Sequence, residues 1–223
     1  VSDATARLYD DKESGYFSTA RPDLLRMLPQ GGALRLLELG AGDGATLRAA
    51  KELGLASWVA GIDIVAPPAA AEGQPEIDLF LHGNIEALDP ALLPGNLDAI
   101  LCADVLEHLV EPWRVVSLLA GLLNPGGILL SSIPNVRNHR ALREIVLRGD
   151  FRYQPAGLLD RSHLRFFCRR NVRELFEQAG LAVEAMEENM GGYGLRHRLL
   201  DRLTLGRFHD FFVFQFRTLA RKP

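Results

Sequence analysis

The segment Leu34 to Leu39 is a short apolar run that ends in Gly40-Ala41-Gly42-Asp43-Gly44, and Thr46 to Leu53 has helical character directly behind it. A strand that feeds a helix through so tight a turn reads as a buried parallel strand. Gly40, Gly42 and Gly44 let the backbone bend sharply and come close to a ligand where a Cβ would collide. The rest of the chain extends this unit. Trp58 to Ile64, Leu79 to Leu81, Leu97 to Cys102 and Ile128 to Ile133 read as strands, and Asp23 to Leu28 and Pro112 to Leu123 as helices. Asn171 to Ala179 is a helix stopped by Gly180, and Leu181 to Met186 and Phe211 to Leu219 are the final strands. Strand and helix alternate, so the expectation is a parallel sheet with helices on both faces.

The alternation breaks between Pro134 and Arg170, where Arg, His and aromatic residues dominate. This stretch reads as an insertion over the carboxyl edge of the sheet. Tyr193 to Leu205 is an Arg-rich amphipathic segment, and Ala66 to Ala71 a surface loop. With 223 residues and 48% hydrophobic side chains, the chain fits one domain with an insertion rather than two domains. No apolar run approaches the ~20 residues that cross a bilayer, and acid stands where a signal peptide carries base, so neither membrane insertion nor secretion is expected. Cys102 and Cys168 stand without a CxxC or a paired His cluster, which fits a reducing, cytoplasmic setting and offers no metal-ligand spacing. Charge is lopsided: residues 1–136 hold 8 Lys and Arg against 18 Asp and Glu, and residues 137–223 hold 17 against 10. An Arg-rich second half fits either a solvated face or an anionic partner.

Asp63 ends the second strand, 19 residues after Gly44, where a carboxylate can accept both hydroxyls of a ribose. Together with the glycine turn it points to an adenosine-type ligand. A dinucleotide site presents a helix N-terminus to pyrophosphate through G-x-G-x-x-G, whereas here the spacing is G-x-G-x-G, with Glu38 before it and Asp43 within it. Negative charge at that turn repels pyrophosphate and attracts a cation.

At these residues the chain resembles the class I S-adenosylmethionine-dependent methyltransferases, whose first motif is acid-x-G-x-G-x-G. The likeness continues through Asp63, Gly83-Asn84-Ile85-Glu86, Asp98 to Leu109 and Leu123 to Leu130. It implies a Rossmann-like, doubly wound, seven-stranded sheet, mostly parallel with an antiparallel last strand, in one domain spanning 1–223. Residues 1–30 would form an N-terminal cap segment and 137–170 a substrate lid after the fifth strand. It also implies that Glu38, Gly40, Ala41, Gly42, Asp43 and Gly44 line the methionine and ribose part of S-adenosylmethionine. Asp63, with Ile64 next to it, would bind the ribose, Asn84 and Ile85 would face adenine, and Ala103 and Asp104 would lie near the methionine moiety. Asp104 also fits a helix cap.

Ile133-Pro134-Asn135, the run Asp160 to Phe167, and Gly15 to Pro22 resemble small-molecule methyltransferases, among them ubiquinone-type O-methyltransferases and enzymes encoded with glycan-building glycosyltransferases. The implied reaction is methyl transfer to oxygen on a small-molecule or lipid-linked glycan acceptor, with S-adenosylhomocysteine as product. Tyr16, Arg21, Asn135, Arg165 and Phe166 are the expected acceptor contacts. In-line displacement at a sulfonium carbon needs alignment and, for a hydroxyl acceptor, a base, but no metal. His163 leads as base, because Asp160 precedes it by three residues and Arg165 follows; His108, beside Glu107, is the second candidate. Phe151, Tyr153, Phe166 and Phe167 are candidate walls for a ring-bearing or lipid-like substrate, or plain packing residues. The chain has no appended basic domain and no Asn/Asp-Pro-Pro-aromatic signature, so nucleic acid is not the expected acceptor. A fold member that binds without turnover and an NAD(P)-dependent oxidoreductase remain the alternatives.

Overall fold

The computed structural model describes residues 20–65, 76–191 and 201–223. Its main elements are α1 (Pro22–Leu25), β1 (Leu34–Leu39), α2 (Ala45–Glu52), β2 (Ala56–Asp63), β3 (Leu79–His82), β4 (Leu97–Ala103), α3 (Pro112–Leu122), β5 (Leu123–Pro134), α4 (His139–Leu142), α5 (Arg169–Glu177), β6 (Ala182–Asn189) and β7 (Gln215–Arg221). Tyr16, most of the 1–30 segment, the loop at 66–71 and most of the Tyr193 to Leu205 segment lie outside the described residues.

The strands form one seven-stranded sheet in the order β3-β2-β1-β4-β5-β7-β6. Strands β1 to β5 pair in parallel, whereas β7 runs antiparallel to both β5 and β6. The two-residue repeat of a strand sends successive side chains to opposite faces. Leu37, Ile62, Ile100 and Leu129 thus pack on one face with Val116 and Leu119 of α3 and Leu175 and Phe176 of α5. Leu36, Val59, Leu101 and Leu130 pack on the other with Leu25 of α1 and Leu47 and Ala50 of α2. From β1 the chain winds outward to β2 and β3, then returns to β4 on the opposite side of β1. The carboxyl ends of β1 and β4 therefore flank a topological switch point, where open α/β sheets leave a crevice.

Besides shifts such as the start of β2 at Ala56 and the end of β6 at Asn189, two strands differ from the sequence pattern by four residues or more at one end. β5 begins at Leu123, since Gly126 N–H donates to Lys222 O and Lys222 N–H to Gly127 O, both at 2.9 Å, which carries the ladder through the Asn-Pro-Gly-Gly turn. β7 begins at Gln215 because His209–Phe211 form a one-turn 3₁₀ helix, although Phe212 and Val213 behind it are buried. In the 137–170 stretch, α4 runs into a π-turn over Arg143–Leu147, and irregular chain follows, tied by single bridges between Gln154 and Asp160 and between Asn135 and Phe167.

Candidate functional site

At the switch point the loop after β1 is strapped to the tip of β2. Gly40 and Ala41 donate their N–H groups to Ile62 O at 2.8 and 3.2 Å, and Gly42 N–H donates to Asp63 Oδ2 at 2.7 Å. Gly40 has φ +76°, and a Cβ there would fall 2.3 Å from Val105 Cγ2, so only glycine fits. The loop forms one wall of a cavity of about 360 Å³, within the range of small-molecule sites.

Glu38, Gly40, Ala41 and Gly42 line the cavity from β1 and its loop, and Asp63 and Ile64 from the end of β2. Asn84 and Ile85 line it after β3, and Ala103 and Asp104 at the end of β4. Asp43 and Gly44 stand outside that lining, for local reasons. Asp43 Oδ1 accepts Ala45 N–H at 2.9 Å and lies 3.5 Å from Arg48 Nη2, so it organises the start of α2. A Cβ on Gly44, at φ +81°, would meet Ile77 Cδ1 at 2.3 Å, so that glycine serves packing.

The cavity is acidic and largely desolvated. Glu38 is 2% exposed, and burial pushes its carboxyl up to about 8 against the opposing hydrogen bond from Thr46 and the charge of Arg21. Its Oε2 is buried with no hydrogen-bond partner among the described residues. Burial also raises Asp63, although Val65 N–H and Gly42 N–H stabilise its charged form. Each Asp63 oxygen accepts one of these N–H groups, Val65 at 2.8 Å on Oδ1, and each keeps capacity for a ligand hydroxyl. Asn84 Oδ1 accepts Glu86 N–H at 3.0 Å, which turns its amide into an Asx turn at the cavity edge.

Asp104 occupies the left-handed region at φ 55°, an uncommon conformation outside glycine that is tolerated by Asp. It joins distant parts of the chain instead of capping a helix. Arg21 Nη1 donates to Asp104 Oδ2 at 2.5 Å, and Gln215 Nε2, from the first residue of β7, donates to Asp104 Oδ1. Arg21 also forks onto Asp23 with two 3.0 Å bonds. Burial works against its charge, but Asp23 and Asp104 together hold the guanidinium above its ordinary value. Arg21, expected at the acceptor, therefore lines the cavity as the partner of Asp104. Nothing in the local sequence marks Thr46 or Gln215, whereas Glu86 closes the Gly83-Asn84-Ile85-Glu86 motif.

The remaining expected residues divide differently. Asn135 is fully buried: its Nδ2 donates to Asp210 O at 2.7 Å and Val213 O at 2.9 Å, and its Oδ1 accepts Arg137 N–H at 3.1 Å. That amide fastens β5 to the approach of β7, which corrects its expected acceptor role. Arg165 donates from Nε and Nη2 to Val110 O and stacks over Trp113 at 5.7 Å, outside the cavity lining. Phe166 stacks edge-on with Phe151, and Phe151 with Tyr153, as a half-exposed trio at 5.5 and 5.2 Å, whereas Phe167 is in the core. Much of the Arg excess is ion-paired, as in Arg148–Glu144, Arg170–Glu174 and Arg221–Glu184.

Of the histidines, His108 lines the cavity, and His163 lies behind it, edge-on at 4.8 Å between ring centroids. Asp160 Oδ1 accepts Ser162 N–H at 2.8 Å and Ser162 Oγ–H at 2.6 Å, and Ser162 O in turn meets His108 Nδ1 at 2.9 Å. Asp160 thus reaches His108 through Ser162. Cys102 is buried, and burial pushes its thiol up, which makes it inert.

A family model described as a methyltransferase domain matches residues 12–186, most of the chain. The chain belongs to the class I S-adenosylmethionine-dependent methyltransferases. The cofactor of this methyltransferase is S-adenosylmethionine. It is 31% identical over 156 residues to the ubiquinone biosynthesis O-methyltransferase of Dinoroseobacter shibae, covering 66% of the chain and 60% of that protein. It is 34% identical over 164 residues to the enzyme of the same name from Xanthomonas campestris pv. campestris, covering 67% of the chain and 66% of the relative. The methyltransferase therefore spans about two thirds or less of the length of these relatives. The crystal structure of an S-adenosylmethionine-dependent methyltransferase from Mesorhizobium loti has the same fold, with TM-score 0.63 at 23% identity over 95% of this chain and 99% of that one. Among the described residues no helix is long and apolar enough to cross a membrane.

Proposed function

We propose that this chain transfers the methyl group of S-adenosylmethionine to a hydroxyl of a small-molecule or lipid-linked glycan acceptor. The observation that carries the reading is the pairing of Asp63 with Glu38 beneath the glycine loop. Asp63 presents two anchored oxygens to a diol, and Glu38 Oε2 is a buried acceptor with no donor among the described residues. Such an atom fits a ligand that brings its own donor or positive charge. The absence of a Cβ at Gly40 lets the loop pack directly on Val105, which holds this wall of the cavity in place. In this reading Asp63 and Ile64 hold the ribose, Asn84 and Ile85 border the adenine, and Glu38, Ala103 and Asp104 surround the methionine part. When bound, S-adenosylmethionine supplies a methyl group on a positively charged sulfur. The acidic lining favours that charge, and the Arg21–Asp104–Gln215 contacts keep one carboxylate fixed beside it. Oxygen as the acceptor atom is supported by the names of the two relatives at 31% and 34% identity. The 137–170 stretch would serve as lid, with the exposed Phe151–Tyr153–Phe166 trio offered to an apolar part of the acceptor.

Calorimetric titration with S-adenosylmethionine tests the cofactor site. The wild type should bind, and Asp63→Ala should bind at least about 10-fold more weakly, since a charge-assisted hydrogen bond contributes about 1.5–3 kcal/mol. No binding by folded wild type, or equal affinity in the variant, refutes the assignment. Transfer of labelled methyl to a panel of phenolic and glycan hydroxyls, against amines, tests the acceptor class.

A further inference from the structure

We propose that His209 is a proton-operated latch: while its ring carries both N–H groups it ties the connection between β6 and β7 to strand β6, and loss of either proton releases residues 201–208. His209 opens the one-turn 3₁₀ helix His209–Phe211 ahead of β7 and stands between two carboxylates. Its Nδ1 meets Asp201 Oδ2, on the connection itself, at 2.7 Å, and its Nε2 meets Glu188 Oε2, near the end of β6, at 2.6 Å. A carboxylate only accepts, so both contacts are made together only by the doubly protonated, cationic ring.

The neutral ring keeps one N–H and turns a lone pair to the other carboxylate. With the proton on Nε2, Asp201 is freed. With the proton on Nδ1, the ring and Asp201 come away from Glu188 together. In either tautomer Asp201 loses the link to β6 that the charged ring provides. Its Oδ1 is buried with no hydrogen-bond partner among the described residues, so no second donor there replaces the ring. Glu188 depends on the ring less, because Arg169 Nη2 of α5 also donates to its Oε1.

Release ends at the 3₁₀ turn. Arg169 Nε donates to Asp210 Oδ1 at 2.8 Å, Arg137 Nη1 lies 3.6 Å from Asp210 Oδ2, and Phe214 N–H donates to Asn189 O at 2.8 Å. These contacts do not involve the ring, so the approach to β7, and with it Gln215 at Asp104, stays in place. The other titratable groups near this turn are Cys168, whose thiol senses Arg137 and Asp210, and His139, whose Nδ1 meets Phe211 O at 2.9 Å. Neither lies on the route from Asp201 through the ring to Glu188. The hydrogen bond to Glu188, with that to Asp201 behind it, holds the imidazolium above its ordinary 6.5 despite partial burial. The latch is therefore complete below pH 6.5, where latched and released rings are both charged, and is lost as pH rises through the raised value.

The inference goes beyond the methyl-transfer reading and does not rest on it. Trypsin cleavage of the full chain after Arg202 and Arg207, located by mass spectrometry, reports the released population when reclosing is fast. At pH 7, His209→Gln should be cut at these bonds about 3- to 10-fold faster than wild type, since losing one charge-assisted hydrogen bond shifts an equilibrium by roughly tenfold or more and solvent partly screens these half-buried groups. Asp201→Ala, which removes the link from its other side, should be cut as fast as His209→Gln. The variant-to-wild-type ratio cancels the protease's own pH dependence, and it should fall toward one across the pH range in which the wild-type ring titrates. Ring ¹⁵N resonances of wild-type His209 should show both nitrogens protonated at pH 7, a readout that stands if a variant fails to fold. A ring already neutral at pH 7, a cleavage ratio of one there, or a ratio that does not follow the ring's titration overturns the latch. None of these measurements uses cofactor or acceptor, so a negative result leaves the methyl-transfer reading untouched.

Discussion

Replacing Glu38 by Gln should change how the stability of the ligand-free protein depends on pH, and the structure sets the size of the effect. The side chain is 2% exposed, and burial lifts its carboxyl from an ordinary 4.5 to about 8 in the folded state. Below pH 4.5 both folded and unfolded chains hold the proton, so the contribution is complete. Between the two values the unfolded chain has released it and the folded chain has not, so stability falls as pH rises. Each unit corresponds to about 1.4 kcal/mol, and the interval gives an upper bound of about 5 kcal/mol lost by pH 8. Glutamine preserves the shape and the oxygen that accepts from Thr46, but does not titrate. The two proteins should therefore be close in stability at pH 4.5 to 5, and the variant should be the more stable by several kcal/mol at pH 8. Urea unfolding followed by Trp58 and Trp113 fluorescence between pH 4.5 and 9 measures this, and the other titrating groups cancel in the difference. Parallel curves across the whole range would refute the reasoning, because they would mean that Glu38 titrates alike in the folded and unfolded chains.

Binding of a cationic ligand beside Glu38 should favour its carboxylate, so S-adenosylmethionine titrated at pH 7 in buffers of different ionisation enthalpy should release up to about one proton per chain; no release, or the same release from Glu38→Gln, would place the ligand's charge elsewhere. Gly40→Ala should cost about 2–4 kcal/mol from crowding and the left-handed backbone, and Val105→Ala on top should recover part of it in thermal unfolding. Asn135→Ala should lower stability by about 1–3 kcal/mol, because it takes the partner from Asp210 O and Arg137 N–H and leaves Val213 O with Asn138 Nδ2 alone, while the acceptor KM stays unchanged; a raised KM at unchanged stability would restore the acceptor role.

The parts of the molecule legible in the sequence are those whose physics is local. β1, its glycine loop and Asp63 lie within thirty positions, and each glycine answers to a backbone constraint that shows in composition and spacing. Helices α3 and α5 were visible in the same way, through apolar periodicity. What escaped depends on pairs far apart in the chain. Gln215 reaches Asp104 across 111 positions, and nothing in Phe214-Gln215-Phe216 marks it. Asn135 looked like a polar group waiting at the end of a strand, but its amide is consumed by carbonyls of residues 210 and 213. Local neighbours favour His163 over His108 as base, whereas the cavity lining is set by the turn after β4. Phe211 to Phe214 continue an apolar pattern through a turn, where burial without pairing imitates a strand.

Strand β7 is the last in chain order, yet it occupies an interior place between β5 and β6. A nascent chain emerging from the ribosome therefore carries β1 to β5 long before the strand that covers the second edge of β5 has been made. Until residues 215–221 appear, β5, 12 residues long and mostly buried in the finished protein, presents an open apolar edge. Such an edge is a template for pairing with a neighbouring chain. The interval between translation of β5 and of β7 is thus when a newly made molecule is most exposed to misassembly, and slow synthesis of the Arg-rich stretch between them would lengthen it.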